Sequence, residues 1–327
     1  MRVSVAQTCA QSYSLDNTLI KLEQLTRLAR ERDGSQLVVF PEAFIGGYPK
    51  FSTFGAVVGE RYPEGRDEYL RYHSAAIEIP SAATARIEAI AKDTGVFLVV
   101  GVIERDGGTL FCTALFVDPV DGVLGKKKKT RSSRPTDSLK GKHRKLLPTA
   151  AERLIWGQGD GSTLPVFERT FSQPEAPDAK STAKISAAIC WENYMPLLRN
   201  HYYAQGTQLY CAPTVDSRPQ WLNSMIHIAL EGRVFVLSAC QYAKESDFPD
   251  DHAVSNASER NPGNVMIAGG SVIISPLGKI LAGPLRDKED VLTAEIDLGD
   301  CVRGKFDLDV VGNYARPDIF KVQTNLG

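Results

Sequence analysis

Cys190 closes the apolar run ISAAIC (185 to 190) and is followed at once by WENYMP. The order of residue types reads as a buried strand that turns directly into a helix, which is where α/β sheets display functional groups. Such a turn exposes a side chain and aims backbone N–H groups and a helix N-terminus at it, and both favour a thiolate. A buried structural cysteine is the competing reading. Glu42 occupies a second corner of the same kind. The strand-like run LVVF (37 to 40) passes into Pro41 and Glu42 ahead of Gly46 and Gly47, so a carboxylate stands just past the end of another apolar segment. A third cluster, GKHRKLLPTAAERLIWG (141 to 157), holds Lys145 and Glu152 on either side of a proline. Taken singly, Glu42 reads as a surface carboxylate, and Lys145 and Glu152 as loop charges.

Taken together they supply a nucleophile, a base and a cation without histidine. A thiol of pKa about 8.5 is only a few per cent ionised at neutral pH, so an adjacent base lowers the barrier by roughly 2 kcal/mol through deprotonation alone. Glu42 can take that proton. Attack on an electrophilic carbon drives negative charge onto the atom bonded to it, and a fixed ammonium such as Lys145 stabilises that charge in a dry site. Glu152 can orient Lys145 or share proton transfers with Glu42. Other chemistries lack their signatures: the chain has no GxxxxGK[ST], HExxH, GxSxG or GxGxxG. The five histidines, at 73, 143, 201, 227 and 252, have no metal-ligand spacing and read as structural or exposed. The six cysteines lie far apart with no C-x-x-C pair, which fits reduced thiols in a cytoplasmic protein.

The elements that must position these groups follow from periodicity. RVSVA (2 to 6) predicts a buried strand. Leu15, Leu19, Leu22, Leu25 and Ala29 predict an amphipathic helix over 15 to 32, with Asp16 near its start. Ser81 can cap a helix carrying Ile87, Ile90 and Ala91 that Gly95 ends, before the strand VFLVVGVI (96 to 103). Asp106-Gly107 and Asp121-Gly122 bracket the strand TLFCTALFV (109 to 117) as hairpin turns would. The second half repeats this order: strand 185 to 190, helix near 195 to 205, strand 208 to 212, helix near 220 to 232 and strand 234 to 240. A hairpin around Pro276 to Gly278 and a strand near 291 to 297 complete it. Alternation of this kind predicts a pseudo-duplicated, layered α/β fold.

At 327 residues, 43% of them hydrophobic, the chain can bury a large core, and no linker divides it into two compositions. Thirty-eight Lys and Arg against thirty-nine Asp and Glu remove any global argument for nucleic acid or an anionic membrane. No apolar stretch approaches a membrane span, and the N-terminus has no secretory pattern. One segment departs from this balance. Residues 126 to 145 hold ten Lys or Arg mixed with Ser, Thr and Pro, which reads as a solvated loop, with a nucleic-acid patch as the alternative. It has no aromatic residue on which bases could stack.

At the four polar residues the chain resembles the nitrilase superfamily of carbon-nitrogen hydrolases, most closely its true nitrilase branch. FPEAFIGGYP (40 to 49), HRKLLPTAAERLIWG (143 to 157) and CWENYMPLLR (190 to 199) are similar, in order, to the family's glutamate, lysine and nucleophile segments. Further similarity lies in HIALEGRVFVLSACQ, GGSVIISPLGKILAGP and GNYARPDIF, as scaffold and interface. The resemblance implies a tandem αββα sandwich that forms a homodimer or higher homo-oligomer and uses neither metal nor organic cofactor. It implies that Cys190 attacks a nitrile carbon, Glu42 moves protons, Lys145 steadies the tetrahedral species with help from the Trp191 N–H, and Glu152 supports positioning. By position Tyr48, Trp156, Trp191 and Tyr194 are the candidate pocket residues, with core packing as the competing role.

The expected organisation is one hydrolase domain over 1 to 300 with a basic inserted loop at about 126 to 140, and a C-terminal extension over 301 to 327. Related nitrilases pass almost directly into G-K-H-R-K, whereas sixteen residues, GKKKKTRSSRPTDSLK, intervene here before Gly141. The short C-terminal tail argues against long filaments. Amide, carbamoyl or cyanide substrates are the runner-up activities, and an inactive binding protein is the alternative of a different class. A papain-like protease lacks its local signature.

Overall fold

The computed structural model describes residues 1–124, 141–172, 180–253 and 261–326. The basic run at 126 to 140 lies outside the described residues. Strand β1 (Arg2–Gln7) leads into α1 (Leu15–Asp33) and β2 (Leu37–Val39). A small hairpin, β3 (Ala56–Val57) and β4 (Glu60–Arg61), precedes α2 (Pro63–Ala75) and α3 (Ala82–Thr94). Then come β5 (Phe97–Asp106), β6 (Thr109–Asp118), β7 (Gly122–Val123) and β8 (Lys142–Arg144). The second half runs through β9 (Phe167–Ser172), β10 (Lys180–Ala187), α4 (Pro196–Ala204), β11 (Leu209–Cys211), α5 (Pro219–Gly232) and β12 (Phe235–Ser238). A second hairpin, β13 (Tyr242–Lys244) and β14 (Val265–Ala268), is followed by β15 (Val272–Ile274), β16 (Ile280–Ala282), β17 (Asp290–Glu295) and α6 (Gly299–Lys305).

The duplication is visible in the strand pairing. One sheet runs β17-β1-β2-β5-β6-β7, with β8 also on β6; the other runs β16-β15-β12-β11-β10-β9. In each, three parallel strands (β1, β2, β5 and β10, β11, β12) are flanked by antiparallel neighbours. The neighbour of β1 is β17, so the chain returns near its end to complete the first sheet.

Each sheet buries both faces, which is why its central strands read as continuous apolar runs. The facing inner sides, with Val3, Val5, Phe97 and Val99 against Ile185, Leu209, Phe235 and Leu237, form one core. Alternate residues of the first sheet, among them Val38, Leu98 and Val100, pack on Leu19, Leu22, Ile87 and Ile90 of α1 and α3. The outer side of the second sheet packs Tyr210 and Val236 on Tyr202, Trp221, Met225 and Ile228 of α4 and α5. The layers are therefore helix, sheet, sheet, helix, as the resemblance implies.

Local signals act as read, with small displacements. Ser81 accepts a hydrogen bond from the Thr84 N–H, and Gly95 closes α3 in the left-handed region. The cap of α1 is Ser14, with Asp16 inside the first turn. Ala187 ends β10, three residues short of Cys190, although pairing with the neighbouring chain continues through Ala188 N to Cys211 O and Cys190 N to Pro213 O.

Candidate active site

Glu42, Lys145 and Cys190 each follow the carboxyl end of a strand (β2, β8 and β10), and the seam between the two sheets brings them together. The Glu42 corner crosses directly over β5. A Cβ on Gly101 would lie 2.0 Å from Pro41 O, so only glycine lets the two backbones approach this closely. Gln241 donates from Nε2 to the Glu42 carbonyl at 2.7 Å and fixes the corner from the second half. Lys145 N donates to Cys112 O at 2.8 Å, which extends β8 along β6.

The polar core is compact. Lys145 Nζ lies 2.6 Å from Glu42 Oε1 and 2.8 Å from Glu152 Oε2. Glu152 Oε2 also accepts from the Thr149 N–H at 2.7 Å, and its Oε1 accepts from Tyr48 Oη at 2.9 Å. Glu42 Oε2 is buried and takes no hydrogen bond from any described residue, while the Cys190 thiol lies near enough to act on the carboxyl. Glu42 thus has one oxygen on the ammonium and one free for a proton.

The electrostatics follow from burial. Desolvation raises the Glu42 carboxyl above its usual range against the downward pull of Lys145, with Glu152 adding to the rise. Burial opposes the Lys145 charge, yet Glu42, Cys190, Cys112 and Glu152 together raise it well above the ordinary lysine value. Cys190 is pushed well up by burial and then by Glu42, while Lys145 and a hydrogen bond from Thr214 Oγ1 at 3.2 Å pull it down. Burial and the neighbouring carboxylate thus outweigh the features of the turn that favour a thiolate. Cys190 opens a five-residue 3-10 turn (Cys190–Tyr194) instead of an α-helix, its own N–H is used by Pro213 O, and its sulfur is buried beside a carboxylate. The residue is a neutral thiol whose proton has a base beside it. Its φ of 51° holds it in the left-handed region, so the side chain projects out of the strand line.

The four aromatic candidates separate into two pairs. Tyr48 and Trp156 meet edge to face at 5.7 Å, with the Lys145 ammonium 5.5 Å from the Trp156 ring centre. Trp156 is buried and donates to Tyr72 Oη, so its body is core and only its ring face borders the polar cluster. Trp191 and Tyr194 are exposed and meet edge to face at 5.9 Å. Trp191 Nε1 donates to Asp216 Oδ2 at 2.9 Å, and the Arg218 guanidinium lies 4.9 Å over its ring.

Several neighbours escaped the sequence reading. Thr214 stands three residues past β11, the same post-strand position that identified Glu42 and Cys190, and that rule would have found it. Cys112, whose Sγ lies 3.6 Å from Glu42 Oε1, looked like an ordinary strand residue. His143 and Glu192 form a buried pair at 2.9 Å. Among the described residues, no group of three His, Cys, Asp or Glu is arranged to hold a metal ion. No helix among them is long and apolar enough to cross a membrane.

The four-layer sandwich brings a thiol, a carboxylate and an ammonium together at the seam between its sheets. A family model described as carbon-nitrogen hydrolase matches residues 2–306. The chain belongs to that family, in its nitrilase branch, and is an enzyme acting on carbon–nitrogen bonds. An arylacetonitrilase of Trametes versicolor is 65% identical over 98% of this chain and 95% of its own length. Nitrilase blr3397 of Bradyrhizobium diazoefficiens is 52% identical over 88% of this chain and 81% of its own. A bifunctional nitrilase/nitrile hydratase of Nicotiana tabacum, NIT4B, is 48% identical over 98% and 85%. Among solved structures, an amidase from Nesterenkonia sp. AN1 superposes with a TM-score of 0.62 over 94% of this chain and 98% of that one. At 18% identity it speaks to the fold alone.

Proposed function

We propose that the protein is a nitrilase that converts an arylacetonitrile-type nitrile to the carboxylic acid and ammonia. The observation that carries this reading is the Lys145 ammonium held 2.6 Å from Glu42, whose second oxygen is free beside the Cys190 thiol. The relatives named arylacetonitrilase and nitrilase support the substrate class.

Cys190 Sγ attacks the nitrile carbon as its proton passes to Glu42 and on to the nitrogen, leaving a thioimidate. Water, deprotonated by Glu42, adds to that carbon; the tetrahedral species expels ammonia and leaves a thioester. A second water releases the acid and returns the proton to sulfur, so one nitrile and two waters give one acid and one ammonia. Lys145 carries the positive charge that each tetrahedral stage requires, aided by the Trp191 N–H, and Glu152 keeps it aimed. A neutral resting thiol suits this sequence, because proton transfer is concerted with attack.

The name of the NIT4B relative favours one second reading, in which part of the tetrahedral species expels the thiol and yields amide. Tyr48, Trp156, Trp191 and Tyr194 line the approach. The hydrolase domain takes in residues 1 to 300, with the basic insertion at about 126 to 140 and an extension from 301 to 327. The protein works in the cytoplasm as a homodimer or larger homo-oligomer, without metal or organic cofactor.

The test is intact mass spectrometry after mixing with a slow nitrile, wild type against Cys190→Ala, with ammonia, acid and amide measured in parallel. An adduct confined to the wild type is expected. No ammonia from any aromatic, arylaliphatic or aliphatic nitrile, with folding verified, overturns the reading.

A further inference from the structure

Glu192 lies two residues past Cys190, and its buried carboxylate spans the two segments that carry the nucleophile and the lysine. Oε2 accepts from the Ile189 N–H at 2.8 Å, and Oε1 accepts from the Leu146 N–H at 2.6 Å. Ile189 immediately precedes Cys190, and Leu146 immediately follows Lys145. One side chain therefore fixes the backbone next to each. His143, two residues before Lys145, closes the arrangement: Nε2 lies 2.9 Å from Glu192 Oε2, and Nδ1 lies 2.7 Å from the Thr163 carbonyl oxygen. Both side chains are wholly shielded from water.

Counting protons fixes the state of the ring. A carbonyl oxygen can only accept, so Nδ1 carries a proton. Each Glu192 oxygen already accepts a backbone N–H, which leaves Nε2 as the donor in its 2.9 Å contact with Oε2. Both ring nitrogens are then protonated. Glu192 is the charged group that acts on the ring from the nucleophile segment, and from the segment after β8 Thr163 contributes only its carbonyl. The Cys112 thiol and the Tyr202 and Tyr210 hydroxyls, in range of the same carboxylate, are neutral at pH 7. Burial works against a charged ring, and Glu192 more than offsets it.

We propose that His143 is held as an imidazolium and, with the Glu192 carboxylate, forms a buried strut that sets the spacing between Lys145 and Cys190. Both are positioning residues. The proposal rests on the reading of Lys145 and Cys190 given above, and its chemistry is that of preorganisation, in which a displacement well under 1 Å is costly.

The primary test needs no substrate. In wild-type protein labelled with 15N-histidine, one of the five histidines should show two protonated ring nitrogens at about pH 8, more than a unit above the ordinary value of about 6.5. That signal should vanish in His143→Gln. A neutral His143 at this pH overturns the proposal and leaves the nitrilase reading intact. The second test separates positioning from folding. Glu192→Gln should lower kcat for phenylacetonitrile by about 10 to 100-fold, the usual cost of losing a group that orients a reacting residue, with KM nearly unchanged. It should also slow iodoacetamide alkylation of Cys190, followed by peptide mass spectrometry, a readout that survives even if no nitrile is turned over. An unchanged kcat and alkylation rate overturns the strut. If Glu192→Gln does not fold, His143→Gln measured in the same two ways decides the matter.

Discussion

Lys145 Nζ rests 2.6 Å from Glu42 Oε1, and both side chains are sealed from water. An ion pair taken fully out of water depends on each partner for its survival. With Glu152 2.8 Å from the same ammonium, the lysine balances two carboxylates, and the site is stable only as a set.

Lys145→Ala should therefore cost stability as well as turnover. Stranding the buried Glu42 carboxylate beside the half-buried Glu152 is expected to lower unfolding free energy by about 3 to 5 kcal/mol, measured by urea titration, with no detectable ammonia release. A stable but inactive variant would show that water replaces the ammonium without penalty.

The state of Cys190 predicts a pH profile. Burial and Glu42 raise the thiol well above its ordinary value. The thiolate fraction, and with it the alkylation rate, should climb about tenfold per pH unit through neutral pH and keep climbing past pH 8.5. Thr214→Val removes the hydroxyl 3.2 Å from the sulfur and should slow alkylation at fixed pH by about tenfold. A rate already level at pH 7 would mean a depressed thiol instead.

The two aromatic pairs should respond differently. Tyr48→Phe deletes the hydrogen bond to Glu152 Oε1 and is expected to lower kcat about fivefold for every nitrile, the worth of about 1 kcal/mol. Trp191→Ala removes an exposed ring and should raise KM for phenylacetonitrile while leaving a small aliphatic nitrile unaffected. Steady-state kinetics on both substrates distinguishes them.

The ends that flank the basic insertion lie side by side. Phe116 donates its N–H to Gly141 O at 2.9 Å and accepts from the Leu124 N–H at 3.1 Å. Excising residues 125–140 to give VLGKHRK should therefore leave β8 in register, with the melting temperature and activity held or increased. A lost fold would mean that the inserted residues support the lysine segment.

The architecture was legible where physics leaves a strong local trace. Parallel strands covered on both faces read as apolar runs, and Gly95 and the Asp-Gly turns mark boundaries by their backbone freedom. The strand β9, FERTFS, lies at a sheet edge and stays partly exposed, so it carries no apolar run, and α2 buries only Gly65, Tyr72 and Ala75. The convergence of Glu42, Lys145 and Cys190 was legible because a polar residue just past a buried strand is conspicuous. Cys112, Thr214, His143 and Glu192 were not singled out, because their meaning lies in partners brought in across sheets. The length of the turn after Cys190, and how dry its surroundings are, likewise emerge only on folding.

The left-handed backbone at Cys190 sets a limit on how robust this enzyme can become. A side chain bearing Cβ resists that conformation by roughly 1 kcal/mol or more, whereas glycine adopts it freely. Selection for endurance alone would thus favour glycine at the one position where the proposed reaction demands sulfur. Cys190→Gly should accordingly melt above Cys190→Ala, both of them inert, and the interval between the two curves would gauge what the molecule surrenders in toughness to hold the proposed nucleophile ready.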